Sequence, residues 1–149
     1  GQLNFSAIIP DGIRSALGYT KFIPRGDGAQ VRDFIYVKDV SELYMLLGEF
    51  LNNDPDRLTG EIFNAGTNAP HSVKNILEMI FSQIGNSTEL EEIIALMKDK
   101  KTSGEIETQF MDFEKVSKFT GWKPKHSLEQ GLSKTIDWYI KYFRKQSGL

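Results

Sequence analysis

Arg25-Gly26-Asp27-Gly28-Ala29-Gln30-Val31-Arg32-Asp33-Phe34-Ile35-Tyr36-Val37-Lys38-Asp39 is the stretch on which the fold turns. Glycine reaches the positive φ angles of a tight turn without steric cost, so Gly26 and Gly28 predict a hairpin. Phe34-Ile35-Tyr36-Val37 then reads as a strand, and apolar residues on both parities predict burial on both faces. Asp39 reads as the cap of a following helix, with Glu42 three residues on in a capping box. Arg32 is the odd member, a permanent cation at the mouth of a buried strand. Its guanidinium either pairs with a carboxylate such as Asp33 or meets an anionic ligand, and spacing alone leaves both open.

Working outward, Ile9, Ile13 and Leu17 mark one face of a short helix with Pro10 in its first turn and Gly18 as its stop. Lys21–Arg25 reads as extended, with Pro24 holding it to an edge or a bulge. Val40, Leu43, Tyr44, Leu47 and Leu51 predict the buried stripe of the helix after Asp39, broken at residues 53–56. Glu61–Gly66 and Ile106–Met111 read as further short strands. Ser72 predicts the cap of a helix with stripe Val73, Ile76, Leu77, Ile80 and Ile84, closed by Gly85. Leu90, Ile93, Ile94 and Met97 give a weaker helical pattern. Asp112 caps a short helix ending at Gly121. Ser127 and Gln130 form a second capping box opening a long helix, with Leu128, Leu132, Thr135, Ile136, Tyr139 and Phe143 inward. Short strands alternating with helices indicate an α/β or α+β chain.

The chain has 149 residues, one domain's worth, so residues 1–149 are expected to form a single domain with its own core. A net charge of −2 argues against nucleic acid as partner. No apolar run approaches the ~18–20 residues that span a bilayer, so no membrane partner is expected. The lack of cysteine excludes a disulfide framework and thiolate zinc sites and fits a cytoplasmic location. A start at Gly1, without methionine, suggests a fragment.

Catalytic equipment is missing from this reading. His71 and His126 lie far apart, each near a proline and just before a cap serine, and read as loop residues rather than metal ligands. No GxSxG elbow supports a Ser-His-Asp triad. No GxxxxGK[ST] loop is present, and Gly26 and Gly28 precede a strand rather than a helix, so they do not make a dinucleotide loop. An anion-binding surface remains: if the strands pair across Gly26–Gly28, the guanidiniums of Arg25 and Arg32 converge on one ligand.

Three blocks, GDGAQVRDFIYVKDV (26–40), GEIFNAGTN (60–68) and GWKPKHSLEQGLSKTIDWY (121–139), together resemble the C-terminal half of NAD-dependent nucleotide-sugar epimerases and dehydratases of the extended short-chain dehydrogenase superfamily. They occur in family order and cover nearly the whole chain. Within that superfamily the chain is most similar to the CDP-glucose 4,6-dehydratases: residues 1–10 resemble GDLNxSRIIP, FIPRGDG (22–28) resembles PIIRSDG, and GEIETQFMD (104–112) resembles GEIxxQYLD. Ala7 stands where SRIIP has arginine. Glu107 and Thr108 stand where related dTDP- and UDP-sugar enzymes carry an arginine pair.

The resemblance implies an α+β substrate-binding domain joined to the last strand and helix of a Rossmann-type sheet. It implies a nucleotide-sugar substrate and NAD as cofactor, bound mainly by an N-terminal half. In such enzymes NAD takes hydride from C4 of the sugar, water is lost across C5–C6, and hydride returns to C6. The TGxxGxxG loop and the YxxxK pair belong to the N-terminal half, and no tyrosine of this chain has a lysine four residues on, so no catalytic residue is assigned and the chain is expected to be inactive alone. By the same resemblance Arg32 contacts the diphosphate; Phe22, Ile23, Pro24 and Arg25 line the nucleobase pocket; Leu3, Ala7 and Ile8 flank the substrate; and Gln30 supports the turn beside it. Trp122 and Trp138 are core. The apolar faces that an absent half would cover imply self-association of this chain, and the parent enzyme is expected to be a homodimer. The alternatives are part of a 4-epimerase, or a binding or interaction module without catalysis.

Overall fold

The computed structural model describes residues 7–98, 100 and 104–146. In chain order the elements are α1 (Ile8–Ala16), β1 (Val31–Arg32), α2 (Val37–Asn53), α3 (Pro55–Leu58), β2 (His71–Ser72), α4 (Val73–Ile84), α5 (Ser87–Met97), β3 (Thr108–Gln109), α6 (Glu114–Thr120) and α7 (Leu128–Gln146). This is a mixed α/β chain, mostly helical, with a small sheet of order β2-β1-β3. Two compact units divide it: one takes the described residues within Gly1–Arg32, His71–Thr108 and Leu132–Leu149, the other Asp33–Pro70 and Gln109–Gly131. Among the described residues no helix is long and apolar enough to cross a membrane.

The first unit is built around α4. Ser72 Oγ accepts the Asn75 N–H at 3.1 Å, and Gly85 closes the helix in the left-handed conformation, as the sequence predicts. Its face Ile76, Leu77, Ile80 and Phe81 is buried, as are Ile13 of α1, Ile93 and Met97 of α5, and Leu132, Ile136 and Tyr139 of α7. Each such aliphatic or aromatic side chain contributes about 1.5–3 kcal/mol relative to exposure. The hairpin expected across Gly26–Gly28 does not form. Lys21–Pro24 carries no ladder, and β1 instead pairs antiparallel with β2, Val31 opposite Ser72 and Arg32 opposite His71. The turn docks on the start of α4: Gly28 O accepts the Lys74 N–H and Gln30 O the Val73 N–H, each at 3.0 Å. Gly28 has φ +78°, and a Cβ there would stand 3.1 Å from the Lys74 Cβ, so the glycine is required for a docking turn rather than for a hairpin. Trp138, expected in the core, is 43% exposed and stacks on Tyr142, while Tyr139 takes the inward position.

In the second unit Leu43 of α2, Val116 of α6 and Trp122 form the buried core, with Ile35, Leu46, Leu47, Phe63, Ala65 and Phe113 packed on it. The strands expected over Phe34–Val37 and Glu61–Gly66 are not formed, and that over Ile106–Met111 shrinks to β3. β propensity reports how a side chain suits a pleated surface, not whether a partner strand is present to complete a ladder. Burial on both faces is likewise absent: Phe34, Ile35 and Tyr36 are half-buried, and Val37, already helical, is exposed.

The helix cap also differs. α2 begins at Val37 after Tyr36, and Asp39 lies inside its first turn, fully buried, where its carboxylate serves other donors. Of the predicted α2 stripe, Tyr44 and Leu51 face outward at 74% and 47% exposure. The apolar face of α2 spans about half of its circumference, and the core takes the part through Leu43, Leu46 and Leu47. The capping box before α7 forms as predicted, Gln130 Oε1 accepting the Ser127 N–H at 3.0 Å and Ser127 Oγ accepting the Gln130 N–H at 3.3 Å.

Candidate functional site

A cavity of about 570 Å³ opens within the first unit. Its size falls in the range of pockets that take a drug-sized or cofactor-sized ligand. Of the residues singled out in the sequence, Ala7, Ile8, Phe22, Ile23, Pro24, Arg25, Gln30 and Arg32 all line it; Leu3 lies outside the described residues. Two features of the chain bring them together. The buried face of α1 fixes that helix beside α4, so its extended entry at Ala7 (φ −138°, ψ 142°) and first residue Ile8 reach the cavity. The stretch from Thr20 to Gly26 then forms another wall, and β1 carries Arg32 to it.

The wall residues differ in how they sit. Pro24 is fully buried and closes the pocket from behind, whereas Ile23 is 77% exposed and stands at its mouth. Gln30 Nε2 donates to Asp27 Oδ1 at 3.5 Å, and Asp27 Oδ1 also accepts the Ala29 N–H at 3.0 Å, so Gln30 both braces the turn and faces the cavity.

Arg32 does not form the carboxylate pair weighed in the sequence. The Asp33 carboxylate is taken by the N–H and hydroxyl of Thr67. The Arg32 Nη1 instead donates to the backbone carbonyls of Val31 at 2.8 Å and Glu107 at 3.5 Å. Two neutral carbonyls orient the guanidinium without neutralising it, so its charge and its remaining donors stay available to an anion. The cavity as a whole is cationic: Arg14, Lys21, Arg25 and Arg32 outnumber Asp11 and Glu105. An anionic ligand is favoured there by charge.

The sequence reading missed several lining residues. Asp11 and Arg14 pair with each other on α1, and their i, i+3 spacing on the side away from Ile13 was a signal that could have placed them. Met97 and Glu105 reach the cavity only through tertiary packing, which no local spacing encodes. Among the described residues no group of three or more His, Asp or Glu side chains could hold a metal ion.

Comparison with known families matches residues 4–135 to GDP-mannose 4,6 dehydratase. The chain belongs to that family. It is 31% identical over 141 residues to dTDP-D-glucose 4,6-dehydratase from Mus musculus, an alignment covering 91% of this chain and 37% of the mouse enzyme. Among solved structures it is similar to dTDP-glucose 4,6-dehydratase from Bacillus anthracis in complex with NAD (27% identity, TM-score 0.71, 91% of this chain and 39% of that one). It is also similar to UDP-glucose 4-epimerase from Thermotoga maritima with UDP-glucose (25% identity, TM-score 0.65, 93% of this chain and 40% of that one). Membership of a nucleotide-sugar epimerase and dehydratase family, read from the three blocks, is therefore established, as is the α/β class. The chain of the GDP-mannose 4,6 dehydratase family spans about two fifths of the length of these relatives.

Proposed function

We propose that this chain is the nucleotide-sugar-recognition part of an NDP-sugar 4,6-dehydratase, inactive alone. The observation that carries the reading is the convergence of Phe22, Ile23, Pro24, Arg25 and Arg32 on one cationic cavity. A nucleoside diphosphate sugar needs an apolar slot for its base and a cation for its diphosphate, and the Phe22–Arg25 wall and Arg32 are suited to these in turn. Ala7, Ile8 and Leu3 flank the sugar in this reading, and Gln30 braces the turn beside it.

The nucleotide is assigned as cytidine. Support comes from the likeness of residues 1–10, 22–28 and 104–112 to CDP-glucose 4,6-dehydratases. Against it stand the names of the relatives, which point to guanosine, thymidine and uridine nucleotides. Titrating CDP, UDP, dTDP and GDP into the chain by calorimetry separates these: tightest binding of CDP is expected. Preference for dTDP would move the chain to the specificity of the mouse and B. anthracis enzymes, and no binding by any of them would remove the recognition role.

A 4-epimerase is the second reading, favoured by the likeness to the Thermotoga enzyme. NAD belongs to the proposal for the parent enzyme. The described residues of this chain do not fit a primary NAD site, because Gly26 and Gly28 lead into β1 and not into a helix N-terminus. NAD, when bound, supplies the hydride acceptor, and the residues that hold it are placed outside this chain.

The same proposal has a second copy of the chain cover the outer face of α2. Val37, Tyr44 and Leu51 lie exposed there at seven-residue spacing, with Met45 beside them at 70% exposure. A seven-residue apolar repeat is the seam of helix pairs. An antiparallel pairing about Tyr44 sets Val37 against Leu51 of the other copy.

A further inference from the structure

The wall from Phe22 to Arg25 belongs to no sheet or helix, so its backbone is held by other means. At one end the Phe22 N–H donates to Ser15 Oγ at 3.1 Å. Ser15 is itself buried, 1% exposed on α1, and its hydroxyl proton goes to Glu89 Oε1 of α5 at 3.0 Å. The hydroxyl is therefore fixed as acceptor toward Phe22 by its own donation to Glu89. Glu89 is in turn placed by the α5 cap, since the Asn86 side chain accepts the Glu89 N–H at 3.4 Å and donates to Ala16 O at 3.1 Å. At the other end the Lys100 ammonium donates to Pro24 O. Neither Ser15, Glu89 nor Lys100 lines the cavity.

We infer that Ser15, held by Glu89, and Lys100 are positioning residues for the base end of the pocket: they fix the two ends of the Phe22–Pro24 wall and so set its fit to the nucleobase. This rests on the nucleotide-sugar reading of the cavity. A wall held at two backbone points keeps its apolar side chains at fixed spacing. Freed at either point it still lines a cavity, but one whose width no longer matches a particular base. Arg32 is held separately, by Val31 O and Glu107 O, so the anion end does not depend on these bonds.

That separation supplies the test. Dissociation constants for the preferred nucleoside diphosphate and for inorganic pyrophosphate are measured on the full chain and on Ser15→Ala, Lys100→Met and Lys100→Arg. Loss of one such hydrogen bond is expected to weaken the nucleoside diphosphate about tenfold in Ser15→Ala and Lys100→Met. Pyrophosphate affinity should stay within about twofold, and Lys100→Arg, which keeps a donor, should restore most of the loss. Equal weakening of both ligands, or no change in their ratio, overturns the positioning role. Should Ser15→Ala not fold, the two Lys100 variants decide, since that side chain is outside the packed core. An unaltered chain that binds pyrophosphate and no nucleoside diphosphate overturns the nucleotide reading and this inference with it; one that binds both, with unaltered ratios in the variants, overturns this inference alone.

Discussion

The imidazole Nδ1 of His126 lies 2.7 Å from Oδ1 of Asp39, a carboxylate with no exposure to solvent. The other oxygen, Oδ2, accepts the N–H groups of Lys125 at 3.1 Å and His126 at 3.0 Å, and the Asp39 carbonyl accepts Trp122 Nε1–H at 3.1 Å. One aspartate in the first turn of α2 thus fastens the segment that leads into α7. His126, read from the sequence as a loop residue, is a structural partner.

Asp39→Ala leaves two backbone donors and the imidazole without their acceptor in a buried place. The expected loss is about 3 kcal/mol of unfolding free energy, with Asp39→Asn losing less because one oxygen remains. Urea unfolding followed by tryptophan fluorescence reads this through Trp122. A loss below about 1 kcal/mol would mean that water replaces the carboxylate without cost.

Gly66 is a site where packing, not backbone freedom, demands glycine. A Cβ built there falls on the Met111 carbonyl oxygen and on the Asp33 carboxylate. Asp33 is held by the Thr67 N–H at 2.9 Å and the Met111 oxygen is backbone, so neither gives way cheaply. Gly66→Ala is expected to cost about 1–3 kcal/mol in the same assay, and an unchanged midpoint would show that the 61–66 segment shifts freely.

What could be read from the sequence was local. The Ser72 cap, the Gly85 stop and the Ser127–Gln130 box all form, because each is settled within a few residues. The stripes of α4 and α7 were legible for the same reason, whereas of the stripe predicted for α1 only Ile13 is buried. Asp39 failed as a cap because its donors come from 86 and 87 residues away, and a fully buried acceptor there is worth more than a surface cap. Strand partners were also beyond reach: spacing suggested that β1 would pair across the turn, and it pairs with His71–Ser72 instead. At the site, the Phe22–Arg25 and Arg32 positions came from motif likeness, while Met97 and Glu105 arrive through packing alone.

The capping box before α7 gives a quantitative check on a local reading. Ser127→Ala removes the acceptor for the Gln130 N–H and frees the reciprocal contact, and is expected to cost about 1 kcal/mol. Thermal unfolding of Ser127→Ala beside Ser127→Asp, which keeps an acceptor, should show the loss in the first and little in the second. Equal losses in both would place the effect in the serine's size rather than its hydrogen bond.

Lys125 supplies a pH dependence with a definite sign. Its hydrogen bond to Glu42, and then the charge of that carboxylate, raise its pKa above the ordinary 10.5. A raised lysine pKa means stabilisation that is fully present below the unfolded value and is lost as pH rises through the folded one. The stabilisation is therefore present in full at neutral pH, and its loss begins only as pH rises above about 10.5. In Glu42→Gln the Lys125 pKa should fall back toward its ordinary value, followed by the pH titration of its side-chain resonances. A titration unmoved by that change would show that solvent screening already erases the pair.

The outer face of α2 is tested by association. Val37, Tyr44 and Leu51 leave part of the wide apolar face of α2 exposed, beside the part already buried through Leu43. Sedimentation velocity from low to high micromolar concentration should show a monomer–dimer equilibrium for the unaltered chain. Tyr44→Glu puts two like charges at the centre of the antiparallel pairing and should leave monomer throughout, with its circular dichroism and unfolding midpoint unchanged because Tyr44 is 74% exposed. A chain that stays monomeric at every concentration, or a dimer indifferent to Tyr44→Glu, would take self-association away from α2.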